Sequence, residues 1–459
     1  MSTRGNFSSR LGFILAASGS AVGLGNIWRF PYLAGTNGGA GFLLIYLICV
    51  FTLCFPVMIG EIAIGRNAGS DAFGSYQKLG GKKWGYLGLY GILAGIIILS
   101  FYNVVAGWAF GYFLELTFGN LLDTPDFNAF FGSYVNEIGP IFLFSLGFIV
   151  LTAVIVSQGI AKGIEAANKI MMPGLYLILI GIIIYSFTLP NAMAGVKFYL
   201  IPELSEITPR TIFFALSQAF FSLSLGMGCL ITFGSYVTKD QNIVKSAAII
   251  SIADTSVAFL AGLMVFPLVF SLGAQPDQGP KLIFVILTEA FQAMGPIAGK
   301  IVGGSFFLLI CFAALTSTIS LLEVPTAYFV DQKKLGRKTV VWSLSAAIFL
   351  LGLPTMYSQG IIPALNKLPI HNNPDLLSFV ADMCNIMLIT GGCLMCIFIR
   401  NEWTVAKMNQ ELAIGNSSYL SSLMRSYIDF SISWICPILL SILSVLVIID
   451  QFFGLAWLF

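Results

Sequence analysis

Long apolar runs, interrupted by short polar stretches, dominate this chain from one end to the other. "LILIGIIIYSF" (177–187) is typical: nothing in it alternates, so it does not read as a strand of a membrane barrel. Runs of roughly twenty apolar residues, the length that crosses a bilayer as a helix, recur throughout. Apolar runs and their punctuation predict eleven helices, at about 11–35, 41–68, 86–118, 139–157, 166–188, 209–237, 242–271, 299–331, 338–356, 375–399 and 428–457. "FGNLLDTPDFNAFFGSYVNE" and "GAQPDQGPKLIFVILTEAFQAMGP" read as long loops, the second with short helices of its own.

Composition agrees with the pattern. Of 459 residues, 57% are hydrophobic and 10% charged, against about 25% charged in soluble proteins. Such a chain cannot cover its surface with polar groups, so its solvent is the lipid bilayer. The fold class is all-α and polytopic. No small-residue cleavage site ends the first apolar run, so that run is expected to stay as a span. The eight cysteines all fall in predicted spans without metal-like spacing and read as packing residues. The lone histidine, His371, lies in a loop, and neither the net charge of +2 nor any basic tract suggests nucleic acid.

Basic residues set the expected orientation. With the amino terminus in the cytoplasm, only Arg29, Lys197, Arg210, Lys281, Lys300 and Lys367 of the 23 Lys and Arg fall outside, as the positive-inside rule requires. Eleven crossings then place the carboxyl terminus outside.

Helix 1 contains "SGSAVGLGN" and helix 6 contains "SLSLGMGC". Glycine costs about 1 kcal/mol relative to alanine inside a helix, and irregular backbone at membrane depth is tolerated only beside protein or a cavity. Interrupted spans at matching places in two halves point to a transporter's binding site. The competing reading is a pair of small-residue packing faces; the Asn, Ser and Arg beside the glycines weigh against it. Freed carbonyls suit a hard cation and freed amides suit a carboxylate.

Six motifs, "GLGNIWRFPYL", "NGGAGFLLIY", "GIEAANKIMMP", "QAFFSLSLGMG", "SYVTKDQNIV" and "ALTSTISLLE", occur in order along nearly the whole chain. Together they resemble the neurotransmitter:sodium symporter family typified by LeuT, in its eleven-helix bacterial branch. The resemblance implies the LeuT fold: a first inverted repeat over 1–188, a second over 189–399, and an inner loop with the eleventh helix over 400–459. It also implies a multi-pass protein of the inner (plasma) membrane, monomer or dimer, that moves a small neutral amino acid with two Na⁺.

Residue by residue, the resemblance gives one sodium the carbonyls of Gly19, Val22 and Ala313 and the hydroxyls of Thr316 and Ser317. Those hydroxyls have a competing use, bonding back to their own helix. The other sodium takes Ala21, Asn26, Ser222 and Asp254. A carboxylate inside a span is a functional candidate in its own right; a protonated, hydrogen-bonded Asp254 is the alternative. Some relatives bind chloride through Tyr, Gln and two hydroxyls. Here Tyr46 and Gln218 stand at the first two places but Ala258 at the last, so chloride independence is expected, with Asp254 supplying the negative charge.

For the substrate, the resemblance gives backbone at Ala21, Gly23 and Gly25, the Tyr102 hydroxyl, and Ser222. It adds a pocket of Ile98, Phe221, Ser224, Met227, Thr318 and Leu321. Gly23 stands where the family's monoamine carriers have an aspartate, so the substrate brings its own carboxylate. The apolar pocket and pliant Met227 point to hydrophobic L-amino acids, large aliphatic or aromatic. Arg29 is the expected outer gate, with Asp375 or Asp382 as its acid, although a snorkelling arginine is the simpler reading. Arg4 and Asp331 match the inner gate, with Phe7 where a Trp is usual. Two rivals remain open: an amino-acid sensor on the same scaffold, and an enzyme. Against the enzyme, no HExxH, Ser–His–Asp set or catalytic carboxylate pair is present.

Overall fold

The computed structural model describes residues 5–274, 281–370 and 374–454. Arg4, His371 and the end of the eleventh expected helix lie outside these residues. Among the described residues, nine continuous helices are long and apolar enough to cross a membrane: α2 (Ala40–Ala68), α3 (Gly85–Thr117), α4 (Ile138–Ser157), α5 (Ile160–Ser186), α7 (Ile243–Ser271), α8 (Pro296–Lys333), α9 (Arg337–Tyr357), α10 (Leu376–Trp403) and α11 (Leu423–Phe453). The first span, α1, is a bent pair, Arg10–Ala21 and Gly25–Thr36, meeting at 52°. The sixth, α6, is divided into Pro209–Ser222 and Cys229–Gly234.

Among the described residues, ten of the eleven expected spans are therefore present as apolar helices with shifted ends, and the sixth as two shorter helical pieces. α5 begins at Ile160 rather than near 166, because the chain winds through wide π turns (Ile160–Glu165) directly after Gly159, whose φ is 91°. α10 runs to Trp403, past the expected boundary at 399, and α11 begins at Leu423. Short helices cover the loops, among them Phe127–Tyr134, Ala192–Leu200, Leu287–Ala293 and Val405–Ala413.

Burial separates centre from rim. α8 is 83% buried over its apolar window, while α4, α5 and α11 are each 33% buried and turn the rest to lipid. Small residues let α8 approach α3: a side chain on Gly303 would strike Leu116, and one on Gly304 would strike Thr117. The two broken spans meet beside this α3–α8 pair, and the candidate site lies between them.

Candidate functional site

Both breaks fall where the glycine pattern places them. In α1, Val22 leaves the helix with extended geometry and the chain resumes coiling at Gly25. In α6, residues 223–228 are unwound, and Ser224, Gly226 and Gly228 take φ values of 54°, 85° and 77°. Glycine reaches that region without strain, and Ser224 is held there by donating to the Ser20 carbonyl at 2.9 Å. Glu61 on α2 steadies the same break by accepting the Gly226 N–H at 2.7 Å.

A cavity opens between the breaks. It is lined by Ala21, Gly23, Gly25, Ile98, Tyr102, Phe221, Ser222, Ser224, Met227 and Leu321, all expected there. Ser20, Ser317 and Leu388 also line it and were not assigned to it from sequence. Thr318 does not: its hydroxyl donates to the Leu315 carbonyl and lies 2.8 Å from Thr152 Oγ1, on the α4 side of α8. Three consecutive helical residues spread over about 200°, so Thr316 and Ser317 face α1 while Thr318 cannot. The Tyr102 hydroxyl sits at the α1 break, accepting the Leu24 N–H at 2.9 Å. A methyl on Gly23 would fall 2.6 Å from Ser317 Oγ and 2.8 Å from Tyr102 Oη, so only glycine leaves this floor open.

Two oxygen-rich corners flank the cavity. In the first, the Asn26 side-chain amide donates to Asp254 Oδ1 at 2.7 Å and to Ser222 Oγ at 2.9 Å. Ser222 donates to Asp254 Oδ2 at 2.9 Å, and Tyr46 reaches the same oxygen at 3.4 Å. Asp254 is fully buried and, among the described residues, makes no ion pair. In the second corner, Thr316 and Ser317 hydroxyls each lie 3.3 Å from the Val22 carbonyl, with Gly19 packed against Thr316. Thr316 also lies 3.0 Å from the Ala313 carbonyl, the arrangement of simple back-bonding. A buried carboxylate with neutral partners, and a wedge of carbonyls and hydroxyls, both suit a hard monovalent cation. Ala258 is buried on the same face, and Gln218 is engaged with the Gly25 carbonyl at 2.9 Å.

Above the cavity, Arg29 stacks over the Phe221 ring at 4.8 Å and donates to Gln218 Oε1 at 3.0 Å. Asp382 interacts with Arg29 electrostatically, although no ion pair within 4 Å joins them among the described residues. Asp375 is not its partner; it caps α10 by accepting the Ser378 N–H at 3.0 Å and also accepts from Gln359.

Below the cavity, Phe7 packs on Phe13, Phe233 and Tyr236. Asp331 accepts the Asp71 N–H at 3.0 Å. The expected partner Arg4 is outside the described residues. The contacts here involve residues that the sequence did not single out. Tyr236 donates to the fully buried Glu323 at 2.7 Å, and Arg337 pairs with both Glu323 oxygens. Further out, Arg66 and Lys239 pair with Glu411 at 2.6 and 2.9 Å, tying the Val405–Ala413 helix to α2 and the loop after α6. The legible signal for Glu61 and Glu323 was the one used for Asp254, an acid inside an apolar span.

Comparison with known proteins places this arrangement. The model of the Sodium:neurotransmitter symporter family matches residues 4–124 and 129–453. The chain is 37% identical over 417 residues to the sodium-dependent transporter YhdH of Bacillus subtilis, covering 90% of this chain and 91% of that one. It is 39% identical over 373 residues to a sodium-dependent transporter of Haemophilus influenzae, covering 78% and 81%. Its structure is similar to the crystal structure of MhsT in complex with L-phenylalanine, with a TM-score of 0.88 at 41% identity, covering 96% of this chain and 99% of that one. This protein therefore belongs to the sodium:neurotransmitter symporter family, as a multi-pass, LeuT-fold, sodium-coupled transporter and not an enzyme.

Proposed function

We propose that the chain is a chloride-independent symporter that carries neutral hydrophobic L-amino acids with two Na⁺ by alternating access. The observation that carries this reading is the junction of both breaks at one cavity, with the buried carboxylate of Asp254, which has no basic side-chain partner among the described residues, close by. Amides of the 21–25 break and the Tyr102 hydroxyl would take the substrate carboxylate. Ile98, Phe221, Met227 and Leu321 would surround an apolar side chain. L-phenylalanine, bound by the similar MhsT, is the first substrate to test.

One Na⁺ would sit with Ala21, Asn26, Ser222 and Asp254, and the other with Gly19, Val22, Ala313, Thr316 and Ser317. Asp254 would take the place of chloride, and Ala258 supports this because it offers no hydroxyl. The bundle of α1, α2, α6 and α7 would rock against the other helices around the site, in a chain of two inverted repeats, 1–188 and 189–399, with the amino terminus on the cytoplasmic side of the inner membrane. Arg29 and Phe221 would close the outer side, and Phe7, Tyr236, Glu323 and Arg337 the inner side. Each Na⁺ entering down 100 mV contributes about 2.3 kcal/mol before its concentration gradient is counted.

Proteoliposomes with an inward sodium gradient test the reading. Labelled L-phenylalanine should accumulate, and replacing chloride by gluconate should leave the rate unchanged. Binding without accumulation would favour a sensor; uptake that collapses in gluconate would remove the chloride claim alone.

A further inference from the structure

We propose that Asn168 on α5 is a further sodium ligand, taking the ion as it leaves the α1–α8 corner toward the amino-terminal half of α1. The inference rests on the reading of that corner as a sodium site.

Asn168 is 1% exposed. Its Nδ2 donates to the Ile164 carbonyl at 2.9 Å, while Oδ1 has no hydrogen-bond partner among the described residues. An amide oxygen left bare in a protein interior is costly, and one retained there points to a partner that comes and goes. Its position names that partner. A methyl on Gly19 would fall 2.1 Å from Asn168 Oδ1 and 3.1 Å from Thr316 Cβ, so the oxygen lies against Gly19 on the side where Thr316 also packs, and both are residues of the proposed ion site. Ser18 Oγ, adjacent to Gly19 in the chain, is also buried without a partner among the described residues. Amide and hydroxyl oxygens are the neutral hard donors of the corner itself.

The obvious rival is Glu165, three residues earlier on the same face of α5. Its carboxylate is already committed. It accepts from the Ser8 N–H at 2.7 Å, the Ser8 and Ser9 hydroxyls at 2.5 and 3.1 Å, and pairs with Lys169 at 2.7 Å. Asn168 Oδ1 is thus an uncommitted amide oxygen on α5 near the corner, whereas Glu165 is committed. Beside it, α5 opens in the wide turns of Ile160–Glu165.

The test uses purified full-length protein loaded with ²²Na⁺, following release after dilution into choline buffer together with equilibrium ²²Na⁺ binding. Asn168→Ala should slow release by roughly tenfold, which is about 1.4 kcal/mol in the barrier, while equilibrium affinity stays within about threefold. Asn168→Asp keeps the shape and adds charge, and should hold the ion longer and tighter, by roughly fivefold or more. Release and affinity unchanged in both variants overturns the proposal, and the Asp variant decides if the Ala variant does not fold. Thr316→Ala separates the two levels: sodium affinity untouched by that change would refute the corner itself, whereas effects at Thr316 with none at Asn168 would refute Asn168 alone.

Discussion

Asp254 and Glu323 are both carboxylates with no exposure to solvent, yet their surroundings differ in kind. Glu323 meets Arg337 in a two-toothed pair and receives the Tyr236 hydroxyl, so its charge is matched within the chain. Among the described residues, the Asp254 carboxylate hydrogen-bonds only with Asn26, Ser222 and Tyr46. A buried charge without a counter-charge is strongly unfavourable. The contrast assigns different jobs. At the inner end, the counter-charge is covalently part of the chain. At the centre, the proposed counter-ion would arrive from solution, and occupancy of the proposed site would then be the event that stabilises it.

Changes at the two acids sharpen this contrast, and the largest effect belongs to the centre. Asp254→Asn keeps shape and hydrogen bonding but removes the charge; sodium-driven uptake in proteoliposomes should fall by roughly a hundredfold or more, since losing one member of a buried charge pair costs about 3–5 kcal/mol. Glu323→Gln should lower unfolding stability by a similar energy in sodium-free buffer, where Asp254→Asn should be neutral or stabilising. Adding Arg337→Met to Glu323→Gln should recover part of the loss; a double variant no better than the single would break the pairing argument.

Smaller effects follow at the edges. Gly23→Ala should weaken binding of labelled substrate by roughly tenfold, or about 1.4 kcal/mol, because its methyl collides with Ser317 and Tyr102. The smallest effect is at Glu411, outside the spans. Burial alone would raise its carboxyl, but Lys239, Asn67 and Arg66 outweigh that and hold it below the usual glutamate range. Its stabilisation is therefore complete above the unfolded value of about 4.3 and is lost as pH falls through the lower folded value. Glu411→Gln should melt about 1 °C below wild type at pH 7, the shift expected for about 1 kcal/mol in a chain of 459 residues, with the gap closing below roughly pH 4.

The spans and both breaks were legible because they rest on local chemistry: run length, and glycine where a helix cannot afford it. Asp254 was legible as an isolated acid in an apolar run. Glu61 and Glu323 carried the same mark and went unread, because what explains them, the Gly226 amide and Arg337, is set by contacts across the fold. Thr318 was misplaced by a single residue of helical phase, which three adjacent hydroxyl residues do not reveal. Asp375 resembled a gate acid, but a carboxylate directly before a helix start has the nearer use of capping it. The early start of α5 was hidden because π turns and a loop have the same composition.

The most direct measurement is a sodium titration of melting temperature for wild type and Asp254→Asn, at constant ionic strength with choline as the replacement cation. The account predicts that wild type gains stability as sodium rises and that Asp254→Asn needs far more sodium for the same gain. Equal sodium dependence in the two proteins would contradict it.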